Sequence, residues 1–169
     1  MIIWLNGTFG AGKTTTAQAL VEQLPDAHLF DPEMVGQFLR FVLPGEVYSD
    51  FQDLPPWRPL VAETAAQLLA YRGGRLVVPM SLLREPYAKE IFTGLAGRGV
   101  KVRHILLHCG RDELVRRIET DEVETGARAW RLRHLAAYDA ALPWLREAAE
   151  VIDTSDLPAA EVAAFIAGS

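Results

Sequence analysis

The chain has 169 residues, half of them apolar and 9% aromatic, with 17 basic and 22 acidic side chains and a net charge of −5. This composition fits one folded domain over residues 1–169 and argues against intrinsic disorder, and the acidic balance argues against a nucleic-acid partner. One cysteine, Cys109, permits no internal disulfide and no cysteine-rich metal site. No apolar run reaches the roughly 18 residues of a membrane span, so we expect a soluble, cytoplasmic protein without stable membrane insertion, and a homo-oligomer stays open.

Apolar runs alternate with helical patterns along the chain. The predicted strands are 2–5, 27–30, 75–80, 100–109 and 150–152, and the predicted helices are 13–24, 32–43, 59–71, 86–98, 111–119, 129–142 and 158 onward. Pro143 is expected to end the helix that begins near residue 129. Continuous apolar strands that alternate with helices indicate an α/β fold with a parallel sheet covered on both faces. Ligands bind such sheets at the carboxyl ends of the strands.

A phosphate-binding loop follows the first strand. Residues 7–14, GTFGAGKT, match the pattern G-x(4)-G-K-[ST] in full, directly between a strand and a helix. Backbone N–H groups of such a loop surround phosphate oxygens, and the positive end of the helix faces them. Lys13 should act on the β- and γ-phosphates of ATP, and the Thr14 hydroxyl should hold Mg²⁺. The predicted nucleotide-binding residues of this segment are Gly7, Phe9, Gly10, Ala11, Gly12, Lys13, Thr14 and Thr15.

Other classes of phosphate-loop protein are excluded by missing motifs. Asn6 is the only asparagine, so the N-K-x-D motif with which GTPases recognise guanine is absent. The usual D-x-x-G switch motif of GTPases is absent as well, because no aspartate is followed by a glycine three residues later. The third predicted strand, RLVVPM, lacks the aspartate that many such proteins use to hold magnesium. The nearest carboxylates, Asp31 and Glu33, follow the second strand and could take the proton of an acceptor hydroxyl or orient it. Asp31 could also simply cap the helix that begins at Pro32.

Four segments, in this order and spacing, resemble the tunicamycin-resistance family of P-loop proteins: IIWLNGTFGAGKT, DPEMVGQFLR, DFQDLPPWR and VVPM. The resemblance covers residues 1–155, and the family is similar to chloramphenicol phosphotransferase, shikimate kinase and gluconate kinase. It implies an ATP-binding, three-layer α/β/α sandwich of the P-loop NTPase fold, with a five-stranded parallel sheet ordered 2-3-1-4-5. It also implies a link to resistance against tunicamycin, a nucleoside-like inhibitor.

In related kinases, the loop between the second and third strands forms the acceptor pocket. Here that loop offers aromatic faces in Phe51 and Trp57, a polar contact in Gln52 and a charged clamp in Arg58. Phe51 could equally be a core residue. We expect Arg58 to be functional, because a charged residue between proline and tryptophan needs a partner. The predicted substrate-binding residues are Asp31, Glu33, Phe51, Gln52, Trp57 and Arg58.

The resemblance also implies a lid at about residues 120–134. Lid arginines would neutralise the charge that spreads over the transferring phosphoryl group. The alternative is a solvated helix face on which Glu113 and Glu119 pair with arginines. We expect Arg117 and Arg128 to be catalytic, with Arg117 also at the nucleotide. The segment after the last strand resembles a loop that borders adenine, so Thr154 is assigned to the nucleotide, although the segment could be a plain turn and helix cap.

Two functions of different class are compatible with these features. The first is an ATP- and Mg²⁺-dependent phosphotransferase for a small molecule, such as an antibiotic or a nucleoside- or sugar-like compound, with Lys13, Asp31, Arg117 and Arg128 as catalytic residues. The second is an ATP-dependent protein that sequesters a tunicamycin-like drug without modifying it. The missing aspartate after RLVVPM favours the second, and the D-P-E segment with the arginine-rich lid favours the first. A third alternative is an ordinary metabolite kinase.

Overall fold

A computed structural model describes residues 1–121, 126 and 128–169 of the chain. Five parallel strands form one sheet in the spatial order β2-β3-β1-β4-β5, as predicted. The strands are β1 (Ile2–Asn6), β2 (Ala27–Leu29), β3 (Arg75–Pro79), β4 (Val102–His108) and β5 (Glu150–Asp153). All five residues of β1 are buried, which suits the central position because a strand covered on both faces must be apolar on both.

Helices cover both faces of this sheet and make the predicted three-layer α/β/α sandwich. They are α1 (Lys13–Gln23), α2 (Glu33–Val42), α3 (Trp57–Arg72), α4 (Glu85–Ala96), α5 (Arg111–Thr120), α6 (Arg128–Ala148) and α7 (Ala159–Gly168), with a short 3-10 helix at Phe51–Asp53. α1 packs against α7, and α3 packs against α4. Ile3 and Leu5 of β1 join the first of these layers, and Ile2 and Trp4 join the second, as the alternation of a strand requires. Across the described residues, no helix has the length and apolar character that a membrane crossing needs.

Pro143 does not end its helix, contrary to the sequence prediction. α6 continues to Ala148 with Pro143 inside it. A proline at such a position removes one backbone donor and crowds the preceding turn, at a cost of about 3 kcal/mol. The residues that follow offset this cost, because Leu145 is fully buried and the Trp144 indole donates to the Leu83 carbonyl at 3.2 Å. Tertiary packing therefore overrides the local signal.

The carboxyl ends of the strands carry the predicted site. The phosphate loop follows β1, Asp31 and Glu33 follow β2, and Thr154 follows β5. Because the strands are parallel, these segments meet at one edge of the sheet. The fold thus places the nucleotide-side and acceptor-side candidates at the same edge of the sheet.

Candidate nucleotide and acceptor site

The phosphate loop has a backbone that requires glycine. Gly7, Gly10 and Gly12 have φ angles of 145°, 79° and 89°, a region that residues with a side chain rarely adopt. A Cβ atom on Gly7 would lie 2.7 Å from the Leu107 carbonyl oxygen, so the loop passes close to β4. Gly12 begins α1, and no described side chain caps that end. The first N–H groups of α1 therefore face the loop, where an anion can accept from them.

Lys13 lies folded against its own loop. Its Nζ donates to the Thr8 carbonyl at 2.8 Å and lies 5.6 Å from the centre of the Phe9 ring. Burial lowers the pKa of Lys13 to about 8; the Glu33 carboxylate opposes this shift and the Arg131 guanidinium adds to it. The charge of Glu33, a predicted acceptor contact, therefore influences Lys13, a predicted phosphate contact.

The first turn of α1 exposes two of its three threonines. Thr14 and Thr15 are exposed, whereas Thr8 is fully buried. No cluster of three histidine, cysteine or acidic side chains that could hold a metal occurs among the described residues. A Mg²⁺ ion bound to nucleotide phosphates needs no such cluster, because it keeps several waters and takes one or two protein ligands. The exposed Thr14 hydroxyl, one position after Lys13, fits that requirement.

Two residues outside the sequence prediction anchor the loop to the end of β3. Asn6 is fully buried; its Oδ1 accepts from Gly7 N at 2.8 Å and from Leu82 N at 2.9 Å, and its Nδ2 donates to the Leu82 carbonyl at 3.0 Å. The Ser81 hydroxyl donates to the Gly7 carbonyl at 2.7 Å. The available signals were slight: Asn6 is the only asparagine, and Ser81 is the first polar residue after a strand that lacks aspartate. Both polar groups of Gly7 are thus fixed.

Asp31 has the capping role that the sequence left open. Its Oδ1 accepts from the Glu33 backbone N–H at 2.9 Å, at the start of α2. Asp31 is half-buried and Glu33 is exposed. A carboxylate that caps one N–H retains further acceptor capacity, so the cap does not prevent Asp31 from acting on an acceptor. Both carboxylates remain candidates for that action.

The acceptor loop is attached to the phosphate loop through Ser81. Gln52 donates from Nε2 to the Ser81 carbonyl at 3.1 Å, while the Ser81 hydroxyl bonds to Gly7. Phe51 is half-buried, with its ring centre 5.2 Å from that of Trp57. Trp57 is fully buried, and its indole donates to the Pro32 carbonyl at 3.2 Å. Trp57 therefore offers no surface to a substrate here, unlike its predicted role, and instead ties the start of α3 to the start of α2.

Arg58 finds its partners within the protein. Its Nε donates to the Glu90 carboxylate and its Nη1 to the Gln52 carbonyl, and the guanidinium carbon lies 4.3 Å from the centre of the Tyr87 ring. The sequence predicts that Arg58 needs a partner, and these contacts within the protein provide one. Arg58 thus holds the acceptor loop against α4.

Arg117 joins the phosphate loop to the segment after β5. Its Nη2 donates to the carbonyls of Thr154 and Ser155 at 2.7 and 3.0 Å, its Nη1 reaches the Gly10 carbonyl at 3.4 Å, and Glu113 pairs with its Nε at 2.7 Å. The Thr154 hydroxyl is buried and donates to the His108 carbonyl at 3.1 Å. Thr154 thus supports this segment from inside, while Arg117 lies at the loop itself.

The first turn of α6 lies against the phosphate loop. Phe9 contacts Trp130, with ring centres 4.7 Å apart, and the Arg131 guanidinium lies 5.8 Å from the centre of the Phe9 ring. Arg128 donates to the Asp121 carbonyl at 3.0 Å, and its Nε is buried with no hydrogen-bond partner among the described residues. Arg131 lies outside the two arginines that the sequence predicts, Arg117 and Arg128. Residues 122–125 and 127 of the predicted lid lie outside the described residues.

The fold and the phosphate loop define a nucleotide-binding, kinase-like P-loop protein, and known proteins agree. Residues 2–142 match the AAA domain family. The tunicamycin resistance protein of Deinococcus radiodurans superposes with a TM-score of 0.74 and 32% identity, over 99% of this chain and 93% of that chain. The chain belongs to this tunicamycin-resistance family of P-loop proteins.

More distant structures share the fold alone. A sugar kinase of Janibacter sp. has a TM-score of 0.70 and 18% identity, over 98% of this chain and 91% of its own. The APS kinase of Mycobacterium tuberculosis has a TM-score of 0.64 and 18% identity, over 98% and 94%. No curated protein matches the chain.

Proposed function

We propose that this protein is an ATP- and Mg²⁺-dependent phosphotransferase that acts on a hydroxyl group of a small molecule. The observation that supports the proposal is the electrostatic influence of Glu33 on Lys13: the charge of an acceptor-side carboxylate acts on the pKa of the phosphate-loop lysine. A site that only grips nucleotide has no need for a carboxylate there, since like charge would repel the phosphates. A kinase needs one to receive the proton of its acceptor.

Each candidate side chain has a role in this proposal. The loop amides and Lys13 hold the β- and γ-phosphates, and Thr14 supplies a hydroxyl to Mg²⁺, which neutralises phosphate charge when bound. As the acceptor oxygen bonds to the γ-phosphorus and the bond to the β-phosphate oxygen breaks, Asp31 or Glu33 takes the hydroxyl proton and ADP leaves. Cationic groups from Arg117, Arg128 and Arg131 lower the energy of the charged transition state.

The family indicates which acceptor to test first. Because the Deinococcus radiodurans relative is a tunicamycin resistance protein, a tunicamycin-like nucleoside is the first acceptor to test. Phe51 is partly exposed and packs close to Gly36 of α2, and Gln52 follows it in the 3-10 helix. A ring face with neighbouring polar groups suits a base or a sugar.

Sequestration of the drug without transfer is the second candidate. One oxygen of Asp31 already accepts a hydrogen bond that caps α2. The segment after β3 has Ser81 where many proteins of this fold have an aspartate that holds magnesium. ATP would then order the site without reacting. This alternative predicts stable, unmodified drug in the presence of ATP.

Mass spectrometry of tunicamycin after incubation with ATP, Mg²⁺ and the protein separates the two candidates. We expect a gain of one phosphoryl group that is absent with Lys13→Ala. Co-elution of unmodified drug with the ATP-loaded protein, and no gain in mass, would support sequestration and contradict transfer. If tunicamycin neither reacts nor binds, the same assay over nucleosides and sugars tests the metabolite kinase.

Paired amide variants identify the proton acceptor. Asp31→Asn keeps an oxygen that can cap α2 but cannot take a proton, so we expect kcat to fall by about 10²–10⁴ with nucleotide affinity retained. Glu33→Gln is the matched variant two residues away. A loss of turnover only in Glu33→Gln would move the role to Glu33. Full activity in both variants would remove these carboxylates from the mechanism.

A further inference from the structure

We propose that a cavity between α4 and α6 binds a small aromatic anion, such as an aryl carboxylate, and that its occupancy changes nucleotide affinity at the phosphate loop. The cavity has a volume of about 570 Å³, opens to solvent on one side, and is lined by α4, the beginning of β4 and the end of α6. Small-molecule sites usually have volumes of about 300–1,000 Å³. None of its lining residues takes part in the proposed phosphoryl transfer, so the inference does not rest on that function.

The walls of this cavity are flat and held in place. His104 lies between Phe92 and Trp144, with ring centres 4.9 and 6.4 Å away. The Trp144 indole is fixed by its bond to the Leu83 carbonyl. Small side chains complete the lining at Ala88, Ala96 and Ala148. Aromatic walls with fixed orientation and small neighbours favour a planar ring over a flexible chain.

The lining of the cavity carries a net positive charge. Lys89 and Lys101 both line it, and they are two of only three lysines in a chain whose net charge is −5. Glu85 also lines the cavity and pairs with Lys89 at 2.7 Å, so these two charges offset each other. Across the described part of the chain, no carboxylate is within ion-pair distance of Lys101. An ammonium group beside an apolar slot complements a ligand with one anionic group on an apolar body.

Two hydrogen bonds connect the cavity wall to the phosphate loop. Asn6 Oδ1 accepts from two backbone N–H groups, which fixes Nδ2 as the donor to His104 Nε2 at 3.2 Å. His104 Nδ1 must then carry the hydrogen and donate to the Ala148 carbonyl at 3.2 Å. Burial lowers the pKa of His104, which agrees with this neutral ring. A ligand that packs against this ring therefore contacts a side chain that is hydrogen-bonded to Asn6, the residue that holds Gly7.

Calorimetric titration of the full chain with 2-naphthoate tests the site. We expect one molecule to bind, Lys101→Gln to weaken binding about tenfold through loss of the charge-assisted contact, and Ala96→Phe to abolish it by filling the slot. Arg72→Gln removes an exposed cation outside the cavity and should leave binding unchanged; circular dichroism and thermal unfolding confirm that each variant is folded. The site would be overturned if naphthoate did not bind to the unaltered chain. It would also be overturned if Lys101→Gln and Ala96→Phe bound naphthoate as tightly as the unaltered chain does.

Nucleotide titration with and without saturating naphthoate tests the connection. We expect the Kd of a non-hydrolysable ATP analogue to change at least threefold in the unaltered chain and not at all in Ala96→Phe. His104→Phe keeps an aromatic wall but removes the hydrogen bond to Asn6. Naphthoate should therefore bind to this variant without changing its affinity for the nucleotide. An unchanged Kd in the unaltered chain would show that the phosphate loop does not sense the cavity.

Discussion

At the scale of single residues, Lys13 links folding to ligand binding. Burial lowers its pKa from the ordinary 10.5 to about 8, because the folded protein disfavours the charged form. Between these values the unfolded chain binds more protons than the folded chain, so this residue should make stability rise with pH across that window. A phosphate next to the ammonium group would favour the charged form and raise the pKa again.

We therefore expect nucleotide affinity to fall as the pH rises above about 8, by up to about tenfold per unit, because binding must then take up a proton. Calorimetric titrations from pH 6.5 to about 9.5, in buffers of different ionisation enthalpy, measure both the affinity and the proton uptake. Lys13→Ala should bind weakly with a flat profile. A flat profile in the unaltered chain would contradict a depressed pKa.

The sequence predicted the site residues that belong to a local pattern and missed those whose partners lie far away in the chain. The phosphate loop is a local pattern, so Gly7 and Lys13 could be assigned from spacing alone. Asn6 and Ser81 act through partners 76 and 74 positions away in the chain, which no local pattern encodes. Trp57 was assigned to the acceptor because its side chain suits a ring, yet its indole N–H is used by Pro32.

At the scale of elements, α2 positions the acceptor loop. Val35 and Leu39 face the core, whereas Met34, Phe38 and Phe41 are exposed. Between these faces the helix comes close to Phe51, because a Cβ atom on Gly36 would lie only 2.7 Å from Phe51 Cγ. This close approach sets the distance between the carboxylates at the start of α2 and the 3-10 helix.

Gly36→Ala should therefore destabilise the fold in spite of its better helix propensity. The propensity gain is about 1 kcal/mol, and overpacking costs about 1–3 kcal/mol, so we expect a net loss measured by urea unfolding. Gly97→Ala, whose Cβ would meet nothing nearer than 3.4 Å, is the matched control. Adding Phe51→Ala to Gly36→Ala should cost less than Phe51→Ala alone. A stabilised Gly36→Ala single variant would contradict the contact.

Element order was predictable because strands and helices differ in apolar period. The boundaries were less so: α3 begins at Trp57 and not at Pro59, since the turn before it is set by burial of Trp57. The predicted end of α6 at Pro143 was further from the structure, in which α6 continues to Ala148. The packing of Trp144 and Leu145, which keeps this part helical, cannot be read from the local sequence. The parallel sheet was predictable from the alternation of apolar strands with helices, whereas the strand order followed only from the resemblance to a family.

At the scale of the whole molecule, α5 connects the phosphate loop to the segment after β5. Arg117 contacts the phosphate loop and the segment after β5 while it pairs with Glu113. Hydrogen bonds from Arg116 and Arg117 lower the pKa of Glu113 to about 2. The stability that this carboxylate provides is therefore complete above its unfolded pKa of 4.5 and is lost as the pH falls towards about 2.

Acid unfolding should show this dependence. We expect Glu113→Gln to reduce the loss of stability between pH 4.5 and about 2, and to lower nucleotide affinity at neutral pH because Arg117 loses its partner. Urea unfolding at a series of pH values measures the first effect. Glu119→Gln removes an exposed acid from the same helix as a control. Equal acid sensitivity in Glu113→Gln and the unaltered chain would contradict the shift.

The contact between Phe9 and Trp130 gives the molecule a spectroscopic property. Trp4 and Trp57 have no exposed surface, whereas 42% of Trp130 is exposed at the start of α6, directly against the phosphate loop. Indole emission changes with the polarity around the ring, so any displacement of this turn relative to the loop changes the colour and intensity of the light that Trp130 emits. Trp130 therefore gives the unlabelled protein a fluorescence signal from its nucleotide side, in addition to the emission of the buried Trp4 and Trp57 and the partly buried Trp144.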